Sequence, residues 1–147
     1  MRVPAFSGKG MRIMRIYLLD GDRESLARTA RMLGGYPDVE LIGSSYEPEA
    51  ALSEAPGLEP DALFIETRLG CISGLAASER LLRELPGLHV VYVTSSREYA
   101  VEAFEQRAFD YLLKPLTLER LERTILRLRR SCGSIVHTQQ ERLDKVE

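Results

Sequence analysis

Five short apolar runs, each followed by a stretch of helical periodicity, predict a doubly wound α/β domain built on a five-stranded parallel sheet. The runs are apolar almost without interruption, as strands covered by helices on both faces must be. At 147 residues, 44% of them hydrophobic, the chain has the length of one domain around a single sheet. The first run, Ile16 to Leu19, ends on Asp20-Gly21-Asp22, a strand followed by a turn. From Arg23 the period becomes helical, with Leu26, Ala30 and Leu33 on one side and Gly34-Gly35 as the stop. Val39 to Gly43 is the second strand, and Pro48 then opens a helix carrying Ala51, Leu52 and Ala55. Ala62 to Ile65 is the third run, ending at Glu66, and Ser73 to Leu85 is the helix after it, closed by Pro86-Gly87. Val90 to Val93 ends at Thr94, and Arg97 to Gln106 follows with Ala100 and Phe104 at helical spacing. Tyr111 to Leu113 ends at Lys114-Pro115, and the last helix, Leu118 to Arg130, sets Leu118, Leu121, Ile125 and Leu128 on one face.

The flanks read differently. Residues 1–13 are basic, lack an apolar stretch before a cleavage site, and are expected to be a disordered leader. The domain is expected over 14–130. Beyond it, 131–147 loses apolar periodicity and reads as a linker stub or flexible tail. A net charge of −2 gives no electrostatic case for binding nucleic acid or an anionic membrane. No apolar run approaches the roughly 20 residues of a membrane-spanning helix. Cys71 and Cys132 are the only cysteines, too few for a disulfide framework, so a cytoplasmic location is expected.

In an open parallel sheet, ligands collect outside the carboxyl ends of the strands. Those ends carry Asp20 and Asp22, Glu66, Thr94 and Lys114. Carboxylates beside a hydroxyl and an ammonium suit a hard divalent cation and a phosphoryl group. Each residue also has a plainer reading: Asp22 as a helix N-cap, Thr94 as a loop residue, Lys114 as a solvated lysine.

The segment Phe109-Asp110-Tyr111-Leu112-Leu113-Lys114-Pro115, together with Val91 to Ser96 and Glu98 to Phe104, resembles the receiver domain of two-component response regulators. The resemblance is to the group whose receivers are joined to LytTR or related transcription-factor outputs, and covers roughly Met14 to Arg130. It implies a flavodoxin-like sheet of order 2-1-3-4-5 and a magnesium-dependent phosphoryl pocket. By that resemblance Asp20 helps to bind magnesium and Thr94 senses the phosphoryl group. Lys114 pairs with that group, Pro115 follows a cis bond, and Tyr111 is the switch aromatic. Two positions depart. Gly21 stands where a second acidic magnesium ligand is usual, and Glu66 where a histidine kinase would phosphorylate an aspartate. In the following loop Gly70 and Cys71 replace a usual Pro-Gly pair, while Gly74 is kept.

One extra methylene moves an acyl phosphate on Glu66 about 1 Å, an error that chemistry by positioning tolerates badly. Gly21 removes a hard ligand and a negative charge from the cation site. Asp20 and Glu66 are therefore expected to hold magnesium weakly or not at all, and phosphotransfer to be weak or absent. Glu66 is expected to pair with Lys114 or Arg68, and Arg68 with Glu66 or Asp20. The function expected is not enzymatic: a regulatory module acting through the fourth helix, fifth strand and fifth helix. Its partner would be a histidine kinase or other signalling protein, a second copy, or a DNA-binding output domain. Alternatives are a working phosphorylatable receiver and a flavodoxin-like small-molecule binder. Cys71 reads as an inert thiol, Cys132 as an exposed tail thiol, and His89 and His137 as core-edge and tail residues without ligand spacing. The arginines from Arg120 to Arg130 read as a solvated helix face with i, i+3 pairs, bordering the partner surface with Tyr99, Phe104 and Tyr111.

Overall fold

The computed structural model describes residues 12–146, with side chains described through residue 132. Ten elements alternate along the chain. They are β1 (Met14–Leu19), α1 (Arg23–Leu33), β2 (Val39–Ser45), α2 (Pro48–Leu58) and β3 (Ala62–Ile65). After these come α3 (Gly74–Glu84), β4 (His89–Thr94), α4 (Ala100–Glu105), β5 (Asp110–Leu113) and α5 (Leu118–Val146). The strands form one parallel sheet in the order β2-β1-β3-β4-β5. This is the doubly wound fold and the order that the sequence predicts.

The period-2 geometry of strands divides each apolar run between two cores. Tyr17, Leu19, Leu63, Ile65, Val90, Tyr92 and Tyr111 face α2, α3 and α4, against Ala51, Ala55, Leu75, Ala77, Leu81 and Ala103. Ile16, Leu18, Ala62, Phe64, Val91, Val93 and Leu112 face α1 and α5, against Leu33, Leu121, Ile125 and Leu128. Both faces being covered is why the runs are continuous rather than alternating. Asp22 is the N-cap of α1, its Oδ1 accepting from the amides of Glu24 and Ser25 at 3.0 and 3.4 Å, so the plainer reading of this residue holds.

Several boundaries and faces differ from the sequence reading. On α1 the buried positions are Ser25, Thr29 and Leu33, with Leu26 and Ala30 packed at the margin. The helix after β4 is one and a half turns long instead of beginning at Arg97. Thr94 Oγ1 accepts from the Ser96 amide at 3.2 Å and Ser96 Oγ from the Glu98 amide at 3.1 Å, holding these residues in turns that compete with helix. Arg12, placed in the expected leader, ion-pairs with Asp61 at 3.6 Å. Helix α5 continues through Val146 instead of ending at Arg130. The stretch after it is rich in Gln, Glu, Arg and Lys, which favour helix without adding an apolar period. The rest of the 1–13 leader and the His137 side chain lie outside the described residues. Cys132 is buried, not exposed, because it extends the Leu121, Ile125, Leu128 stripe by one turn.

The arginines of α5 are only in part a solvated face: Arg123, Arg127 and Arg130 are exposed, while Arg120 and Arg129 are half-buried in ion pairs. Arg120 meets Asp110 with 2.7 and 3.1 Å hydrogen bonds, and Arg127 adds a 3.2 Å ion pair to the same carboxylate. Arg129 makes 2.6 and 3.0 Å bonds to Asp38, which is fully buried. These pairs tie α5 to the sheet edge and to the α1–β2 turn. Burial pushes the Asp110 carboxyl up, but hydrogen bonds from Arg120, Thr124 and the Tyr111 amide, with the Arg120 charge, hold it below the usual carboxylate range. A lowered folded-state value means stability that is present above the ordinary carboxyl range and lost as pH falls through the lowered one. Asp110→Asn is expected to cost about 2 kcal/mol at neutral pH. It should also flatten the acid limb of melting temperature against pH; an unchanged limb would show that this cluster carries no pH dependence.

Candidate functional site

The strand order brings β1, β3, β4 and β5 side by side, so their carboxyl ends form one rim. Backbone bonds across that rim fix the residues just past each strand. The Glu66 amide donates to the Leu19 carbonyl at 3.0 Å, and the Lys114 amide to the Thr94 carbonyl at 2.8 Å. The Lys114-Pro115 peptide is cis, as the resemblance implies. Beside the rim lies an open cleft of about 530 Å3, lined by Asp20, Gly21, Glu66 and Lys114, with Arg28, Tyr46, Arg68 and Ser95 among its other walls.

Asp20, Glu66 and Lys114 meet directly. Lys114 Nζ lies 2.9 Å from Asp20 Oδ2 and 3.3 Å from Glu66 Oε1, with all three side chains at least four-fifths buried. The remaining oxygens are also engaged: Asp20 Oδ1 accepts from the Asp22 amide at 2.9 Å, and Glu66 Oε2 from the Thr67 amide at 2.7 Å. One ammonium thus sits between the two carboxylates that the sequence singles out as cation ligands. Among the described residues no group of three or more His, Cys, Asp or Glu is placed to hold a metal ion. Position 21 contributes no side-chain oxygen, and Oδ1 of Asp22 is engaged in the α1 cap. This donor set does not fit a tightly held divalent cation: two carboxylates that share one ammonium are too few hard ligands.

Thr94 is at the rim but does not face the cleft. It is fully buried, its Oγ1 2.9 Å from Thr67 Oγ1. Tyr111 is buried on the α4 side and donates its hydroxyl to the Ser96 carbonyl at 2.6 Å. Arg68 turns away from the acidic pair, against expectation. It reaches Glu98 at 3.1 Å, where both side chains are more than half exposed. Lys114 is instead the cation that meets both Asp20 and Glu66, from within the fold. Gly74 is where the loop after Glu66 closes, its amide bonded to the Thr67 carbonyl at 2.8 Å. A Cβ at that position would lie 2.1 Å from the Glu66 carbonyl oxygen, which is why only glycine fits there. Cys71 is exposed, and His89 sits at the core edge, Nδ1 3.1 Å from the Asp61 carbonyl oxygen and its ring edge-on to Phe109.

Thr67 was not singled out from the sequence. It is a single hydroxyl in a loop position, and nothing in its neighbours announces that it will contact a residue 27 positions away. Asp110 was likewise read only as part of a motif, although it gathers two arginines and Thr124.

Comparison with known proteins gives a consistent picture. A family model described as the response regulator receiver domain matches residues 16–126. The transcriptional regulatory protein BtsR of Salmonella typhi is 40% identical over 116 residues, which are 78% of this chain and 48% of that protein. A response regulatory protein of Yersinia pestis is 34% identical over 119 residues, 80% of this chain and 49% of that one. The chain therefore spans about half the length of the curated relatives it matches. Among solved structures, the response regulatory domain of protein mrkE from Klebsiella pneumoniae superimposes with a TM-score of 0.73 at 23% identity, covering 78% of this chain and 94% of that domain. At that identity the superposition speaks for the fold. No helix among the described residues is long and apolar enough to cross a membrane.

Proposed function

The chain belongs to the response regulator receiver family, and we propose that it is an atypical member, a cytoplasmic signalling module whose state does not depend on phosphorylation. Receiver domains generally bind magnesium at the phosphorylation site; in this chain that binding is weak or absent. The observation that carries the reading is Lys114 held between Asp20 and Glu66, at 2.9 and 3.3 Å, in a site where position 21 is glycine. An internal cation occupies the place where a metal and a phosphoryl group would meet the protein, and Glu66 offers its carboxylate at the wrong reach. The module is not an enzyme. It acts by protein–protein contact through α4, β5 and α5, where Val101, Phe104 and Leu118 are each more than half exposed. Its partner is a histidine kinase or other signalling protein, or a second copy of itself. The names of the relatives support control of a transcriptional output, with no nucleic acid bound by this domain itself.

Incubation with acetyl phosphate and magnesium, followed by intact-mass measurement, is expected to leave the mass unchanged. A substantial fraction carrying one added phosphoryl group would overturn the reading. Light scattering of the same protein and of Phe104→Glu tests the face. Association that weakens in the variant supports it, and a concentration-independent monomer in both would remove the second copy as partner.

A further inference from the structure

We infer that Thr67 is a positioning residue that links the Glu66 carboxylate to Tyr111 through a hydrogen-bonded chain with a buried centre, an inference that rests on the phosphorylation-independent reading of the site. The links are on hand. The Thr67 amide donates to Glu66 Oε2 at 2.7 Å, and Thr67 Oγ1 lies 3.5 Å from the same oxygen, at the long limit of a bond. Thr67 Oγ1 and Thr94 Oγ1 are 2.9 Å apart. Thr94 Oγ1 accepts from the Ser96 amide at 3.2 Å, and the Ser96 carbonyl accepts from the Tyr111 hydroxyl at 2.6 Å.

A hydroxyl has one proton to give and room to accept. The carboxylate fixes the direction: Thr67 gives its proton toward Glu66, so Thr94 gives its own to Thr67 and receives the Ser96 amide. Every proton then points toward one negative charge, and in a dry setting such a chain polarises along its length. The middle of the chain is dry, since Thr67 is 1% and Thr94 0% exposed, while the links to Glu66, Ser96 and Tyr111 are partly buried. The chain also explains why Thr94 does not line the cleft. Its hydroxyl is committed to Thr67, whereas Ser95 and Lys114 do line it. Thr67 thus does from inside the fold what an incoming group in the cleft would otherwise have to do. It holds Thr94, the loop through Ser96, and Tyr111 in one arrangement anchored on the Glu66 carboxylate.

The test uses the full chain labelled with fluorotyrosine and read by fluorine NMR, with the Tyr111 line assigned by Tyr111→Phe among the six tyrosines. Glu66→Gln, which neutralises the end of the chain, is expected to move the Tyr111 line by more than its width. In a Thr67→Val background, similar in shape but without the hydroxyl, the same change should leave the line in place. Thr67→Ser should restore the response, and Thr94→Val should abolish it as Thr67→Val does, so either broken link suffices if one variant folds poorly. A Tyr111 line that responds to Glu66→Gln equally with and without the Thr67 hydroxyl would overturn the inference, as would no response in the unmodified background. No phosphoryl donor is present in this experiment. Its failure is therefore distinct from failure of the reading above, which the mass measurement decides.

Discussion

Lys114→Met is expected to destabilise the domain by roughly 3 kcal/mol, the cost of leaving buried charge without its partner. The side chain of Lys114 is the shared cation of Asp20 and Glu66, whose side chains are only 9% and 12% exposed. Removing it leaves two carboxylates close together with amide donors on one oxygen each and no positive charge between them. Methionine keeps most of the volume, so the loss is electrostatic and not a cavity. Glu66→Gln is the contrast. It removes one charge of the pair but leaves Lys114 its bond to Asp20, and should cost about 1 kcal/mol. Urea unfolding of the three proteins compares them at equal slope. If Lys114→Met costs no more than Glu66→Gln, Lys114 is solvated and the internal ion pair does not define the resting state of the pocket.

How much of this was legible in the sequence follows from what each feature depends on. The sheet was readable because Ala62 to Ile65 and Val90 to Val93 are short, unbroken apolar runs bounded by turn residues, which suits strands buried on both faces. The rim was readable because a strand's carboxyl end is marked by the change from apolar to polar, as at Asp20, Glu66, Thr94 and Lys114. Pairings across the rim were not. Whether Arg68 or Lys114 meets Glu66 depends on where two loops point, and the sequence supports both. Lys114 takes the position because its amide is anchored to the Thr94 carbonyl, aiming the side chain back over β1 and β3. Arg68 is bridged across its loop to Ser73, and its side chain finds Glu98 instead. The arginines of α5 show the same limit. Their i, i+3 spacing to glutamates is visible, but Asp110 and Asp38 lie 10 and 91 residues away from Arg120 and Arg129 and offer drier, two-pronged pairs. The end of α5 was misjudged because periodicity reports a packed face, and a helix can outlast it.

A gain of activity is expected from two substitutions together, Gly21→Asp and Glu66→Asp, which should convert a site that takes no phosphoryl group into one that does. The space is available. A Cβ on Gly21 meets nothing within 4 Å, and the adjoining cleft of about 530 Å3 opens on both positions. Gly21→Asp supplies a third carboxylate beside Asp20, the hard oxygen that the present set lacks for a divalent cation. Glu66→Asp withdraws the acceptor by one methylene, out of reach of the present 3.3 Å contact with Lys114. That releases one of the ammonium's two carboxylate bonds, so that Lys114, still bonded to Asp20 at 2.9 Å, can also face a phosphoryl group in the cleft. Neither change alone should be enough. With Gly21→Asp only, the acceptor still overreaches; with Glu66→Asp only, the charge of an incoming phosphoryl group is left without a cation to offset it. Labelling by acetyl phosphate in the double variant should then exceed the sum of the single variants by on the order of tenfold, a coupling of about 1.4 kcal/mol, within the range for residues sharing one site. Magnesium titration by calorimetry should show the same non-additivity. A well-folded double variant that gains neither magnesium affinity nor label would locate the defect elsewhere. The loop from Arg68 to Gly74 is where it would lie, with Gly70 at φ +89° and Arg68 drawn to Glu98. Thr67, by keeping the Thr94 hydroxyl at 2.9 Å from its own, would be the other candidate. Adding Thr67→Val to the double variant separates the two, since it releases Thr94 to the cleft and leaves the loop backbone as it is.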